Sequence, residues 1–385
     1  MRIIGTSNSN SHFRGAVFGG LAVATLLAGG AARCQKPTGE PAGVQRAADS
    51  EVAGLPAAVP KQGDGAGLDE GLADAKALLQ RGASRQAESA VRGILKAHPD
   101  SAEAHFLLGY ILFDTIRREY AAQEGKAGAG FRYNDDVGES LAKLRDTKAR
   151  ESLAEFSAGA RYGTPSAFDL KIVALDYVLL RDDLAADKWL TASLKWQPAD
   201  AQGWYYLGRT KYSEGRFAEA IEAFEKCLKL TPGNVQAEYN VGLAYQGLGQ
   251  NEQAAQAYQN AIVWQQHADE KAPEPYVALG GMYLDQHQPE KALPYLEQAV
   301  SFFPQADNAR QQLAKAYSAL HRLPEAQRQL EAAVQLSPQK APLHCMLGQV
   351  YRQEQMLAQA QAEYDRCAAL QQSGSGAVAP SQKKN

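Results

Sequence analysis

Eight times along this chain a glycine or alanine falls at the same place in a 34-residue period, and no other feature of the sequence limits the fold as strongly. With Trp204 set at position 4, position 8 holds Ala75, Gly109, Ala174, Gly208, Gly242, Gly280, Ala314 and Gly348. Position 20 holds Ala87, Ala186, Ala220, Ala254, Ala292, Ala326 and Ala360, and position 32 holds Pro99, Pro198, Pro232, Pro304 and Pro338. Large residues at positions 4, 7 and 11 follow helical spacing, and another at position 24 belongs to a second helix. Small residues let two helix backbones approach, Leu207, Tyr245 and Phe224 fill the space beside them, and proline stops the second helix. One such hairpin cannot bury its apolar stripe alone, so the hairpins must stack.

The run WYYLGRTKYSEGRFAEAIEAFEKCLKLTP, Trp204 to Pro232, resembles the tetratricopeptide-repeat family, and the similarity extends to either side of it. The resemblance implies an all-α fold, a right-handed superhelical solenoid of about eight helix-turn-helix units. These are 68–101, 102–166, 167–200, 201–234, 235–268, 273–306, 307–340 and 341–374. In that family positions 2, 5, 9 and 12 of the first helix line a concave groove holding a peptide or partner helix. Carried over by position, the candidate partner-binding residues are Phe106, Tyr110, Lys171, Tyr205, Arg209, Tyr212, Tyr239 and Gln246, and Asn240, at position 6 beside Tyr239, is counted with them. The groove is expected to be aromatic in its first half and rich in amides in its second, where Asn308, Gln311 and Gln349 fall. Aromatic rings beside arginine are common interface anchors. The same rings serve equally well as packing against neighbouring units, and at this stage both uses stand. The carboxylate clamp that some family members use on acidic chaperone tails is absent, since Lys171 is followed by Leu175, and Asn240 by Glu274 and Ala278.

The amino terminus reads as an export segment. Arg2 and Arg14 precede an uncharged stretch, Gly15 to Ala32, with an apolar centre from Ala16 to Leu27 and small residues at its end. Residues 1–33 are therefore expected to be a signal peptide or an amino-terminal anchor. Cys34 resembles the lipid-modified cysteine of bacterial lipoproteins, although Arg33 stands where that pattern has a small residue; ordinary cleavage after Ala32 is the alternative. Residues 34–67, rich in Pro, Gly and Ala, are expected to be a disordered linker, and 375–385 a disordered tail. As a flexible coil the linker would span about 30 Å.

The unit 102–166 is too long by about one repeat. An insert around 116–147 interrupts it, expected as a partly helical flap near the aromatic end of the groove or as a solvated loop. Its GKAGAG run lacks the GK[ST] ending that places a lysine on phosphate, and Asp135 and Asp136 alone supply too few oxygens for calcium. A net charge of -3, from 40 basic and 43 acidic residues, argues against a nucleic-acid partner. The 7 His are scattered over different repeat positions and no nucleophile signature occurs, so no enzyme activity, cofactor or metal is expected. Of the 4 Cys, Cys227 and Cys367 occupy position 27 and read as buried packing, whereas Cys345 reads as a free thiol on the groove face. Trp189, Trp196, Trp204 and Trp264 read as helix packing. The expected function is a protein-interaction scaffold or adaptor at the bacterial cell envelope. The alternative is a regulatory or substrate-binding subunit of an envelope enzyme or secretion complex. Other proteins or peptides are the expected partners, with membrane contact only through the amino-terminal segment.

Overall fold

The structure, a computed structural model, describes residues 65–124, 139–266 and 271–375. The apolar amino-terminal segment, Cys34 and most of the linker lie outside the described residues, as do 125–138 and 376–385. Among the described residues every regular element is a helix, sixteen in all. The chain divides into two compact units, residues 1–94 and 95–385.

The first unit holds α1 (Gly65–Gln80) and the start of α2 (Ser84–Ala97). Leu72, Ala75, Leu79, Ala87 and Val91 are its buried apolar side chains. Its first helix begins at Gly65, inside the stretch expected to be linker.

The second unit continues with α3 (Ala102–Glu124), α4 (Glu139–Gly159), α5 (Ala167–Leu179), α6 (Asp183–Trp196), α7 (Ala201–Ser213), α8 (Phe217–Leu230) and α9 (Val235–Gly247). It ends with α10 (Asn251–Gln265), α11 (Glu274–Asp285), α12 (Pro289–Phe302), α13 (Asp307–Ala319), α14 (Leu323–Leu336), α15 (Ala341–Gln353) and α16 (Leu357–Ser375). Consecutive helices pair as antiparallel hairpins, and from α5 onward each first helix packs between its own partner and the second helix of the hairpin before it. First helices also touch one another in succession, α3 with α5, α5 with α7, α7 with α9, and α11 with α13. This is the all-helical repeat architecture expected from the period.

The small residue at position 8 has a measurable cause. A Cβ added to Gly208 would sit 2.6 Å from Phe224, one on Gly242 2.4 Å from Tyr258, and one on Gly348 3.0 Å from Tyr364. Each neighbour is the position-24 side chain of the same hairpin, and Phe224 and Tyr258 have no exposed surface. Where position 24 is the slimmer Val91, Leu190 or Leu330, position 8 takes alanine instead, as Ala75, Ala174 and Ala314. Gly280 opposite Leu296, at 2.5 Å, is the one position-8 glycine that meets an aliphatic partner.

The hairpin turns use a second repeated device. Position 15 is left-handed in every regular unit: Gly82, Gly215 and Gly249 have φ of 80°, 74° and 71°, and Arg181, His287, His321 and Gln355 have 64°, 57°, 57° and 66°. The next amide then reaches back to a carbonyl in the last turn, as Arg216 N to Lys211 O at 2.9 Å and Arg322 N to Tyr317 O at 2.8 Å. Successive hairpins are tied at position 4. The Trp204 indole donates to Pro198 O at 2.8 Å, Arg310 Nε to Pro304 O at 2.9 Å, and His105 and His344 Nε2 to Pro99 and Pro338 O at 3.0 Å each.

Two expectations are corrected here. The described part of the insert is no flap: it lengthens both helices of the α3–α4 hairpin. Ile116, Tyr120, Leu141 and Ala149 are buried with Leu179 in one cluster, because the apolar spacing of α3 continues past Asp114 at helical phase. Trp196 does not pack between helices either; it is 61% exposed at the carboxyl end of α6, whereas Trp189, Trp204 and Trp264 are half-buried.

Candidate functional site

The first-helix face carries all nine residues singled out from the sequence, and the structure gathers them into two groups. In the first, Phe106 on α3 stacks 6.1 Å from Phe156, and Tyr110 meets Phe168 edge-on at 5.2 Å. Lys171 on α5 lies 5.7 Å from the Phe168 ring and donates to Asp200 Oδ2 at 2.7 Å, so its charge is already neutralised within the chain. Asp200 is held in turn by its role as N-cap of α7, accepting from Gly203 N at 3.0 Å. Phe168, 38% exposed, is the most open ring of this group.

The second group spans α7 and α9. Tyr205 packs 6.0 Å from Phe224 and 5.6 Å from Tyr206, with the Arg209 guanidinium 6.0 Å from its ring. Asn240 Nδ2 donates to the Tyr205 hydroxyl at 3.5 Å and to Gln236 O at 2.6 Å. Burial raises the Tyr205 phenol above its ordinary value, against the opposing pull of Arg209. Tyr212, Tyr239 and Gln246 are organised around one buried residue that the groove positions do not include, Tyr258 of α10. Its hydroxyl donates to Gln246 Oε1 at 2.9 Å, its ring lies 5.8 Å from Tyr239, and burial together with Tyr239 and Tyr212 raises its pKa far up. Tyr212 packs on Phe217 at 5.3 Å.

All nine are half-buried. Their rings pack on the cores of their own and neighbouring hairpins, Tyr205 and Tyr212 on the Phe224 cluster and Tyr239 on the Tyr258 cluster. What this face offers a partner is therefore ring edges, hydroxyls, two amides and one guanidinium, held rigid from behind. Tyr206, at position 6, was not among the groove positions, yet it joins the Tyr110 and Leu175 cluster and feels both Arg209 and Arg117. Its signal was available, since the pair Tyr205–Tyr206 puts an aromatic on each side of the same helix. Two clefts of about 410 and 350 Å³ lie elsewhere, and none of the nine residues lines either. Among the described residues no three His, Cys, Asp or Glu side chains are grouped to hold a metal ion, and no helix is long and apolar enough to cross a membrane.

The expected free thiol at Cys345 is corrected. Cys345 is joined to Cys367 in a disulfide within the last hairpin, with their Cα atoms 5.4 Å apart. Positions 5 and 27 face each other across this hairpin, as Tyr205 and Cys227 also interact across theirs, a proximity that exists only once the hairpin closes. Cys227 is buried and is the free cysteine among the described residues.

The fold and this face define a class, the stacked helical-hairpin repeat proteins, whose surfaces serve protein recognition. Family profiles described as Tetratricopeptide repeat match residues 72–133, 201–234, 235–266, 283–334 and 341–373, together more than half of the chain. The chain belongs to the tetratricopeptide-repeat family. Superkiller complex protein 3 of Mus musculus is 30% identical over 120 residues, covering 30% of this chain and 8% of its own. PEX5-related protein of Homo sapiens is 31% identical over 74 residues, covering 19% of this chain and 12% of its own. Tetratricopeptide repeat protein 37 of Xenopus laevis is 24% identical over 253 residues, covering 61% and 16%. The chain thus spans between 8% and 16% of the length of these relatives. Among solved structures, YrrB, described as a TPR protein with an unusual peptide-binding site, is 22% identical with a TM-score of 0.39, covering 47% of this chain and 92% of its own. MamA is 20% identical with a TM-score of 0.40, covering 44% and 97%.

Proposed function

We propose that this protein is an interaction scaffold or adaptor of the bacterial cell envelope that holds a segment of a partner protein against the first-helix face of α7 and α9. The observation that carries the reading is the group Tyr205, Arg209 and Asn240, half-exposed, mutually bonded and fixed from behind by Phe224. Such pre-ordered aromatic and guanidinium groups bind with little loss of side-chain freedom. The envelope location is supported by the charged, then apolar, then small-residue pattern of residues 1–33 and by the Cys345–Cys367 disulfide, since cytosolic thiols are kept reduced. The regulatory-subunit alternative uses the same face and differs only in what the partner does.

Two measurements test this. Tyr205→Ala with Tyr239→Ala should lower affinity for a partner crosslinked to the native chain by about thirtyfold or more, the loss of about 2 kcal/mol typical of an interface hot spot. Unchanged retention of that partner, with helicity intact by circular dichroism, sinks the site. Mass spectrometry of the mature amino terminus from envelope fractions should find either a diacylated Cys34 or a start at Arg33; an intact Met1 chain in the cytosol removes the export reading.

A further inference from the structure

The last hairpin is built differently from the others. In α8 five side chains are buried, Ala220, Ile221, Ala223, Phe224 and Cys227, and α12 and α14 bury three each, with a leucine among them, whereas in the described part of α16 only the small Ala360 and Cys367 are buried. Among the described helices α16 packs chiefly on α15. Position 5, filled by large half-buried side chains such as Tyr205, Tyr239 and Gln311 in earlier hairpins, is here the small Cys345. Tyr364 against Gly348 and Glu363 on His344 Nδ1 at 2.6 Å also hold α16 to α15, and the disulfide adds a covalent tie where little apolar surface is buried.

We propose that Cys345 and Cys367 form a redox latch that attaches α16 to α15, closed by thiol–disulfide exchange with a disulfide-bearing oxidant and opened under reducing conditions. The bond closes a loop across a sequence separation of 22 and so limits the freedom of the unfolded hairpin. Exposure assigns the order of the steps. Cys345 is half-buried and within reach of solvent, whereas Cys367 is 2% exposed. The Cys345 thiolate attacks one sulfur of the oxidant's disulfide, forming a mixed disulfide and expelling the other sulfur as a thiolate. The Cys367 thiolate then attacks Cys345 Sγ, closing the latch and expelling the second thiolate. Two protons leave the cysteines, and the two electrons end on the oxidant, now a dithiol. Opening runs in reverse, with the reductant's thiolate entering at Cys345 and Cys367 leaving. The proposal draws on the export reading only for the cellular source of the oxidant.

The experiment uses the full chain carrying Cys227→Ala, a change to the residue found at that repeat position as Ala261, Ala299 and Ala333. Oxidation with glutathione disulfide should yield a linked Cys345–Cys367 peptide on non-reducing mass spectrometry. Reduction with dithiothreitol should then speed hydrogen exchange in α15 and α16 at least about tenfold and leave α7 to α10 unchanged. A Cys345→Ala, Cys367→Ala variant should exchange like the reduced protein in both buffers. The latch is overturned if the two cysteines are alkylated separately after oxidation, if exchange is insensitive to reduction, or if the double variant exchanges like the oxidised chain. A latch that closes in glutathione buffer in a chain that keeps Met1 in the cell would leave this inference standing while the export reading falls; a processed chain whose two thiols stay free would do the opposite.

Discussion

Asp176, on α5, has no exposed surface, and its neighbours decide its protonation. Ser152 Oγ lies 2.9 Å from Gly109 O and 2.5 Å from Asp176 Oδ2, and one hydroxyl hydrogen cannot serve two acceptors. The arrangement closes if Ser152 donates to Gly109 O and a protonated Asp176 donates to Ser152 Oγ, linking α3, α4 and α5 through a neutral acid. Burial accordingly raises the Asp176 carboxyl well above the usual carboxylate range, outweighing the lowering that a Ser152 hydroxyl donating to the ionised carboxylate would bring. The sign of the pH effect follows. The folded chain keeps a proton that the unfolded chain loses at an ordinary carboxylate pKa, so this group's contribution is fully present in acid. It declines by about 1.4 kcal/mol per pH unit as pH rises from that value toward the folded one. Asp176→Asn, whose amide can donate to Ser152 without ionising, is expected to flatten that slope in urea unfolding between pH 4 and 7. A slope identical to the parent's would show that Asp176 is not the group responsible. No motif marks this residue in the sequence, where position 10 of a helix gives no hint of a serine brought in from another hairpin.

At the scale of the hairpin, positions 8 and 24 behave as one unit. Gly242→Ala puts a Cβ where only 2.4 Å separates it from Tyr258, and the ring has no free surface into which to move. The substitution should cost about 1–3 kcal/mol by overpacking. Combining it with Tyr258→Leu recreates the Ala–Leu pairing of Ala174 with Leu190 and Ala314 with Leu330. In a double-mutant cycle on thermal or urea unfolding the two changes should therefore be less costly together than their separate costs predict; strict additivity would refute the pairing. The small residue was readable from the sequence at each place. Its partner was not, because position 24 was seen only as a large residue and the contact joins two helices. The insert misled for a related reason: a run that breaks the repeat pattern can still keep helical phase, and Ile116, Tyr120 and Leu141 do so.

Among the described residues of the second unit, hairpins pack chiefly on their neighbours, so stability should be local. Leu279→Ala removes a side chain with no exposed surface from the cluster holding Tyr258, Ile262 and Met282. The cost should be about 2–5 kcal/mol, seen as faster hydrogen exchange in α9 to α12 with α3 to α5 unaltered; uniform acceleration through all helices would instead mean one cooperative core. By itself the sequence determined the helical class, the period and the helix face on which the candidate residues fall, because these depend on spacing along one chain and on how close two backbones must come. Only the tertiary structure decided how these residues meet: that Tyr205, Tyr212 and Tyr239 lean on buried rings instead of standing open, that Trp196 is left in solvent, that Asp176 is buried against Ser152, and that Cys345 is bonded. Each depends on which side chains from separate helices arrive at the same place, and residues far apart in sequence meet only after the helices have packed.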